Sequence, residues 1–174
     1  EKLFDISAQK DEEIIRDLSS QISNLGGKPI FNKDDKKLLI KELSNQYDNL
    51  FFDSIIKDKE KNIICEDTVN NIKVRFQTVN DLNSKDLRKV VDLGKKELGN
   101  GIIIVFSTKD EKVSLAVGVT DDLTKKFNAV EFVKLGSELI GGKGGGGRKD
   151  FAQAGGNKKE MINFAFGALR RLIT

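Results

Sequence analysis

Between Gly141 and Gly147, six of seven residues are glycine, and the run continues through Arg148-Lys149-Asp150 into Phe151-Ala152-Gln153-Ala154-Gly155-Gly156. A segment so poor in side chains buries little apolar area and cannot be a core element. Glycine at this density is expected where the backbone takes conformations closed to other residues or approaches something closely. The bare N–H groups are then its chemistry. Successive amides of a loop can form an anion-binding concavity, and Lys143, Arg148 and Lys149 add positive charge, so the expected ligand carries phosphate or carboxylate. A flexible linker is disfavoured because the run leads straight into a small apolar segment. Gly142, Gly144 and Gly147 have the spacing G-x-G-x-x-G, but the dinucleotide fingerprint needs a strand before it, and a helical pattern precedes this one. A P-loop would end in Gly-Lys-Ser or Gly-Lys-Thr; this run ends in Gly147-Arg148-Lys149-Asp150 and offers no hydroxyl for magnesium.

The chain has no histidine. That removes the commonest metal ligand and the commonest general acid/base together, so no catalytic or metal-ligating residue is predicted. Paired carboxylates at Glu12-Glu13, Asp34-Asp35 and Asp121-Asp122 fall at helix starts, where they complement the macrodipole. The formal net charge of +3 is unevenly spread: residues 141–174 carry seven basic and two acidic groups, which places the excess in and after the glycine run. The single cysteine, Cys65, follows Ile63-Ile64 and reads as a buried structural thiol. No apolar run reaches the roughly 18 residues of a membrane span and nothing resembles a signal peptide, so a cytoplasmic location with no membrane partner is expected. The absence of methionine at position 1 suggests a piece of a larger protein.

The chain's 174 residues suit a small helical piece followed by one α/β domain. From Asp11 onward, Ile14, Ile15, Leu18, Ile22 and Leu25 recur at three- and four-residue spacing, and Gly26-Gly27 and Pro29 end the helix they define. Asn32 or Asp34 can cap a second helix with Leu39, Leu43, Tyr47, Leu50 and Phe51 on its apolar side. The two make a helical hairpin over residues 1–60, whose outer stripe is expected to pack on the rest of the chain, on upstream sequence or on another copy. Residues 61–174 read as the α/β (α+β) domain, with a mixed sheet flanked by helices. Its expected strands include Asn62–Glu66, Ile72–Val79, a central one at Ile102–Phe106 buried on both faces, and Val113–Val119 returning antiparallel after a polar turn at Ser107–Glu111. Ser84 is the expected cap of a helix stopped at Gly99-Asn100-Gly101. Ala129 to Ile140 is a further helix, Phe151–Ala154 a short strand, and Gly155-Gly156-Asn157 opens a last helix and adds amides to the anion site. The phenylalanines read as packing, with Phe151 the one candidate for stacking on a base.

On Gly141-Gly142-Lys143-Gly144-Gly145-Gly146-Gly147-Arg148, Asp150 and Phe151-Ala152-Gln153-Ala154-Gly155-Gly156, with Val113–Thr120 before them, residues 71–174 resemble the C-terminal domain of alanyl-tRNA synthetases. Lys149 stands where that family commonly has proline. The resemblance implies a fold shared with the glycine-rich domain of DHH phosphoesterases. It also implies a non-catalytic module that packs on the outer corner of tRNA(Ala) and helps the aminoacylation and editing domains of the same chain use one tRNA. RNA contact would then fall to Lys143, Gly144, Gly145, Gly146, Gly147, Arg148, Lys149 and Gln153. No cofactor is implied for this part, whereas ATP, magnesium and zinc would serve the parent enzyme. Two alternatives stand beside this reading. One is the substrate-binding half of a DHH-type phosphoesterase, which usually carries a histidine in the glycine motif; the other is a dimerisation module built on the helical hairpin.

Overall fold

The computed structural model describes residues 2–174, which fall into two compact units, one ending at Lys57 and the other starting at Asp58. The first is an antiparallel pair of helices, α1 (Lys2–Asn24) and α2 (Lys36–Lys57). Helix α1 begins well before Asp11, because no glycine or proline interrupts residues 2–10 and a helix propagates without needing an apolar stripe along its whole length. The cap of α2 is Asp35, one residue beyond the expected Asp34: its Oδ1 accepts the amides of Lys37 and Leu38 at 2.9 and 3.1 Å. Ile22, Leu39 and Leu43 form the buried centre, with Ile15, Leu18, Tyr47 and Leu50 around it.

The second unit holds one six-stranded sheet. Its strands are β1 (Asn62–Val69), β2 (Ile72–Asn80), β3 (Ile102–Lys109), β4 (Lys112–Val119), β5 (Gly145–Gly147) and β6 (Phe151–Gly156), in the spatial order β1-β2-β3-β4-β6-β5. Only β2 and β3 run parallel, joined by the crossover helix α3 (Leu87–Leu98); the other pairs are antiparallel. Helix α3 packs on one face, and α4 (Ala129–Leu139) and α5 (Ile162–Arg171) cover the other. Ile102 to Phe106 are fully buried in the middle of this sandwich, as their unbroken apolar run predicts. Alternation sends Ile104 and Phe106 toward Phe132, Val133, Ala165 and Leu169, and turns Ile103 toward Gly94 of α3. Each such side chain contributes about 1.5–3 kcal/mol through burial.

Several expectations give way here. The turn after β3 is only Asp110-Glu111, since Ser107 to Lys109 complete the ladder with Lys112 to Ser114. Ser84 caps nothing through its side chain; it starts a 3-10 turn, Ser84–Asp86, that leads into α3. Gly155 and Gly156 end β6 and do not open a helix. The two amides that follow them, on Asn157 and Lys158, both donate to the Ile140 carbonyl at 2.9 Å, so this turn closes on the chain itself. Phe164 and Leu172 are 61% and 40% exposed, because α5 buries only the stripe Ile162, Ala165 and Leu169. Cys65 is exposed: β1 is an edge strand, and an open groove separates its middle from α5.

Candidate nucleic-acid interface

The glycine run leaves the end of α4 through a series of hydrogen bonds to that helix. The amide of Gly141 donates to the Glu138 carbonyl at 3.3 Å and that of Gly142 to the Ser137 carbonyl at 2.7 Å; the amide of Gly144 donates to Ser137 Oγ at 3.1 Å. Ser137 is fully buried and holds the run from beneath. A serine on an amphipathic helix reads as a surface polar residue, and only the fold reveals this role. These amides are therefore spent within the chain and form no concavity open to a ligand. Gly145–Gly147 is not a loop either. It is a strand paired with Ala152–Ala154, because β6 would otherwise leave one row of backbone groups unpaired and glycine imposes no side chain that prevents the ladder.

This makes β5 the outer edge of the sheet. The Arg148 amide donates to the Phe151 carbonyl at 2.7 Å, closing the hairpin around Lys149-Asp150. Counting back from that bonded pair, the alternation of an antiparallel ladder bonds Gly146 to Gln153 and turns the N–H and C=O of Gly145 and Gly147 outward. The hairpin tip is anchored on three sides. The Lys149 carbonyl accepts from the Ala129 amide, and the Asp150 carbonyl accepts from the Val119 amide, both at 2.9 Å, while Lys95 Nζ donates to the Asp150 carbonyl at 2.8 Å. Lys143, Arg148 and Lys149 are all exposed around the strand. Arg148 Nε lies 3.4 Å from Asp150 Oδ1, but the arginine side chain is 68% exposed, so the pair costs little to open.

Two other candidates are committed elsewhere. The side-chain amide of Gln153 donates to the Ser84 carbonyl at 2.9 Å, tying β6 to the turn before α3. The Phe151 ring lies under the Arg88 guanidinium, 5.0 Å from its centre, so the face that could stack on a base already carries a cation.

The glycines of β5 are not equivalent. A Cβ on Gly145 would come within 2.5 Å of the Gln153 carbonyl oxygen and 2.7 Å of Val133, and one on Gly147 within 2.5 Å of Ala152 Cα. Gly147 also has φ of 153°. Gly146 has neither constraint: its φ is not positive, and a Cβ would meet nothing within 4 Å. Packing and backbone geometry thus explain two of the glycines and leave the third open to a side chain.

Among the described residues no group of three or more cysteine, aspartate or glutamate side chains could hold a metal ion. The unit also carries an open groove of about 650 Å³ between β1, β2 and α5, lined by Ile63, Cys65, Phe76 and Phe166. It is chiefly apolar, and its charged rim includes Arg170 and Lys159, paired with Asp67 and Glu111. It offers no convergent set of hydrogen-bond donors comparable to the β5 edge.

The family model described as the DHHA1 domain matches residues 71–174. The alanine–tRNA ligase of Parvibaculum lavamentivorans is 46% identical over 103 residues, covering 59% of this chain and 12% of that protein. The alanine–tRNA ligase of Bradyrhizobium diazoefficiens is 45% identical over 104 residues, with the same shares, so the chain spans about an eighth of the length of these relatives. Among solved structures, the C-Ala domain of Aquifex aeolicus alanyl-tRNA synthetase superposes with a TM-score of 0.59 at 25% identity, covering 63% of this chain and 97% of that one.

Proposed function

Because this chain belongs to the DHHA1 domain family, we propose that it is the C-terminal tRNA-binding module of an alanyl-tRNA synthetase, with the β5 edge as its RNA-facing surface. The observation that carries this reading is Gly146, a glycine on an exposed edge strand that neither backbone geometry nor packing requires. A ligand that must come within hydrogen-bond distance of the backbone accounts for it. The outward amides of Gly145 and Gly147 would donate to phosphate oxygens, while Lys143, Arg148 and Lys149 neutralise the neighbouring charge. A folded tRNA presents such a surface at its outer corner, where backbone is exposed and loop nucleotides leave the regular stack. Contact there leaves the acceptor end free. Such a module would hold one tRNA(Ala) while the aminoacylation and editing domains of the same chain act on it in turn, and would itself perform no chemistry.

The test is a titration of the 174-residue chain with tRNA(Ala), other tRNAs and duplex RNA across a salt series. The expected result is a preference for folded tRNA over duplex and a log K that falls with log salt at a slope of about −2 to −3, as for three neutralised phosphates. The Lys143→Ala, Arg148→Ala, Lys149→Ala variant should flatten that slope. Equal binding to duplex, or a variant that behaves as wild type, would overturn the assignment of the β5 edge. The helical hairpin fits a self-association role, supported by exposed Ile6, Ile14 and Leu38 on its helices. Sedimentation of the chain at several concentrations checks it, and a monomer throughout would remove it.

A further inference from the structure

The β3–β4 hairpin carries a second arrangement of polar side chains, on the face of the sheet that supports α3. Ser107 lies directly opposite Ser114, and Lys109 directly opposite Lys112, so two hydroxyls and two ammonium groups form successive rungs on one side of the ladder. Like charges facing each other across a strand pair are destabilising. Lys109 Nζ is turned to Asn83 Oδ1 at 2.7 Å, which steadies it at the wall without supplying a negative charge. Both lysines and both serines line a dent of about 240 Å³, closed on its far side by Ser84 at the start of the turn before α3. At about 30 Å³ per water, it has room for a phosphate group with part of its hydration. Asp110 is the one carboxylate in the lining, outnumbered by the two lysines. The dent also sits at the carboxyl ends of the parallel strands β2 and β3, where open α/β sheets place ligands.

Its position relative to the glycine edge is fixed by the ladder. Ser114 pairs with Gly155 of β6, and the beginning of β5 lies one strand further on, so dent and edge are separated by two strand spacings, about 10 Å. Gln153 joins them, opposite Gly146 on one side and bonded to Ser84 at the wall of the dent on the other.

We infer that the dent formed by Ser84, Ser107, Lys109, Lys112 and Ser114 is a phosphate-binding subsite that takes a further backbone phosphate of the RNA held along β5. The inference rests on the RNA-binding reading for the source of its ligand, and on the dent alone for the ligand's chemistry. Two ammonium groups set beside the Ser114 hydroxyl suit an oxyanion with several acceptor oxygens, while the buried Ser107 hydroxyl donates to the Leu82 carbonyl at 3.4 Å and forms the floor; filling the site relieves the Lys109–Lys112 repulsion.

The test has two arms on the full chain. In the first, Lys109→Gln, Lys112→Gln is titrated with tRNA over a salt series beside wild type and beside Lys57→Gln, Lys59→Gln, which removes equal charge far along the sequence. Binding about tenfold weaker at low salt, with a slope shallower by about 1 and no such change in the control, is expected. Lys112→Gln alone leaves the Lys109–Asn83 bond intact and should show part of the same effect. In the second arm, inorganic pyrophosphate is added and backbone amide NMR signals are followed; shifts centred on Lys109, Lys112 and Ser114, lost in the double variant, are expected. If wild type binds tRNA steeply with salt and the double variant matches it, the subsite is overturned while the RNA reading stands. If wild type binds no tRNA but pyrophosphate shifts those amides, the RNA reading falls and the dent remains a site for free phosphate. Silence in both arms removes both.

Discussion

The sheet has two edges, and they treat the same backbone groups in opposite ways. At one, β1 is eight residues long and carries side chains throughout, including Glu66 and Asp67 on opposite faces. Glu66 bonds Arg75 of β2, and Asp67 bonds Arg170 of α5, so charged side chains stand over this edge and are themselves tied down. That is how natural proteins keep an exposed edge from recruiting another chain. At the other, β5 is three glycines long and carries nothing that would hinder approach. Unpaired N–H and C=O groups are a liability at both edges; at β1 they lie among side chains, whereas at β5 no side chain hinders approach to them. The difference separates a guarded edge from one open to a ligand, and under the RNA-binding proposal Lys143, Arg148 and Lys149 around it would select an anionic one.

Adding side chains to β5 should break the contrast most strongly. Gly147→Val places atoms into Ala152 and the Phe151 carbonyl from a backbone of positive φ, so it should cost about 2–4 kcal/mol of unfolding free energy and abolish tRNA binding with it. Gly146→Val should separate the two effects. With open space around it and a β-branched residue suited to a strand, its stability should lie within about 0.5 kcal/mol of wild type or above it. Its tRNA affinity should nevertheless fall about tenfold, the equivalent of one charge-assisted hydrogen bond lost to steric exclusion. Urea unfolding beside tRNA titration reads both quantities. A Gly146→Val chain with normal affinity would show that ligands do not approach this edge closely.

The guarded edge should respond in stability and not in binding. Arg75 is 5% exposed and donates to Glu66 through Nε at 2.9 Å and to Glu97 of α3 through Nη1 at 2.7 Å. Burial works against its charge, but the hydrogen bonds to Glu97 and Glu66 outweigh that and hold its pKa above the ordinary arginine value. Arg75→Met keeps much of the buried volume and removes the bonds. Both carboxylates are about half exposed and can return to water, so the loss should be about 1–3 kcal/mol, below the cost of stranding a buried charge. Thermal unfolding measures it. An unchanged tRNA affinity is expected beside it, and a large drop in binding would show that the two edges are coupled through the sheet.

Sequence patterning located the elements better than it located their exposure. Ile102–Phe106 was legible as the central strand because five consecutive apolar residues have no other economical place in a small domain. The glycine run was legible as backbone chemistry, but its strand conformation was not, since strand periodicity is a property of side chains and glycine has none. The same limit explains Cys65: flanking isoleucines look like core until the topology places β1 at an edge. Ser107 and Lys109 read as part of a polar turn and Ser114 as part of the strand after it, because only the pairing register brings the serines and the lysines face to face. Ser84 looked like a cap by residue type, yet the chain enters α3 through a 3-10 turn whose first carbonyl is occupied by Gln153, almost seventy positions later.

The finest difference between the edges lies at Asp67, and pH should expose it. The side-chain hydrogen bond from Arg170, and secondarily the backbone amide of Thr68, hold its carboxyl below the ordinary aspartate value of 3.8. A carboxylate whose pKa is lower in the folded chain than in the unfolded one favours folding above the unfolded value. That contribution is lost as pH falls through the folded value. The Tm gap between wild type and Asp67→Asn should therefore be level from pH 7 to 5, narrow below about pH 4, and close once the folded carboxyl is protonated. Because the pair is solvent-exposed, the gap should also shrink in 1 M salt, where the screening length is about 3 Å. Arg170→Gln should reproduce the pH trend, since it removes the same bond from the other side. A gap that persists undiminished to pH 2 would mean that Asp67 acts through local chain geometry and not through its charge, and the guarding of β1 would then rest on Glu66 alone.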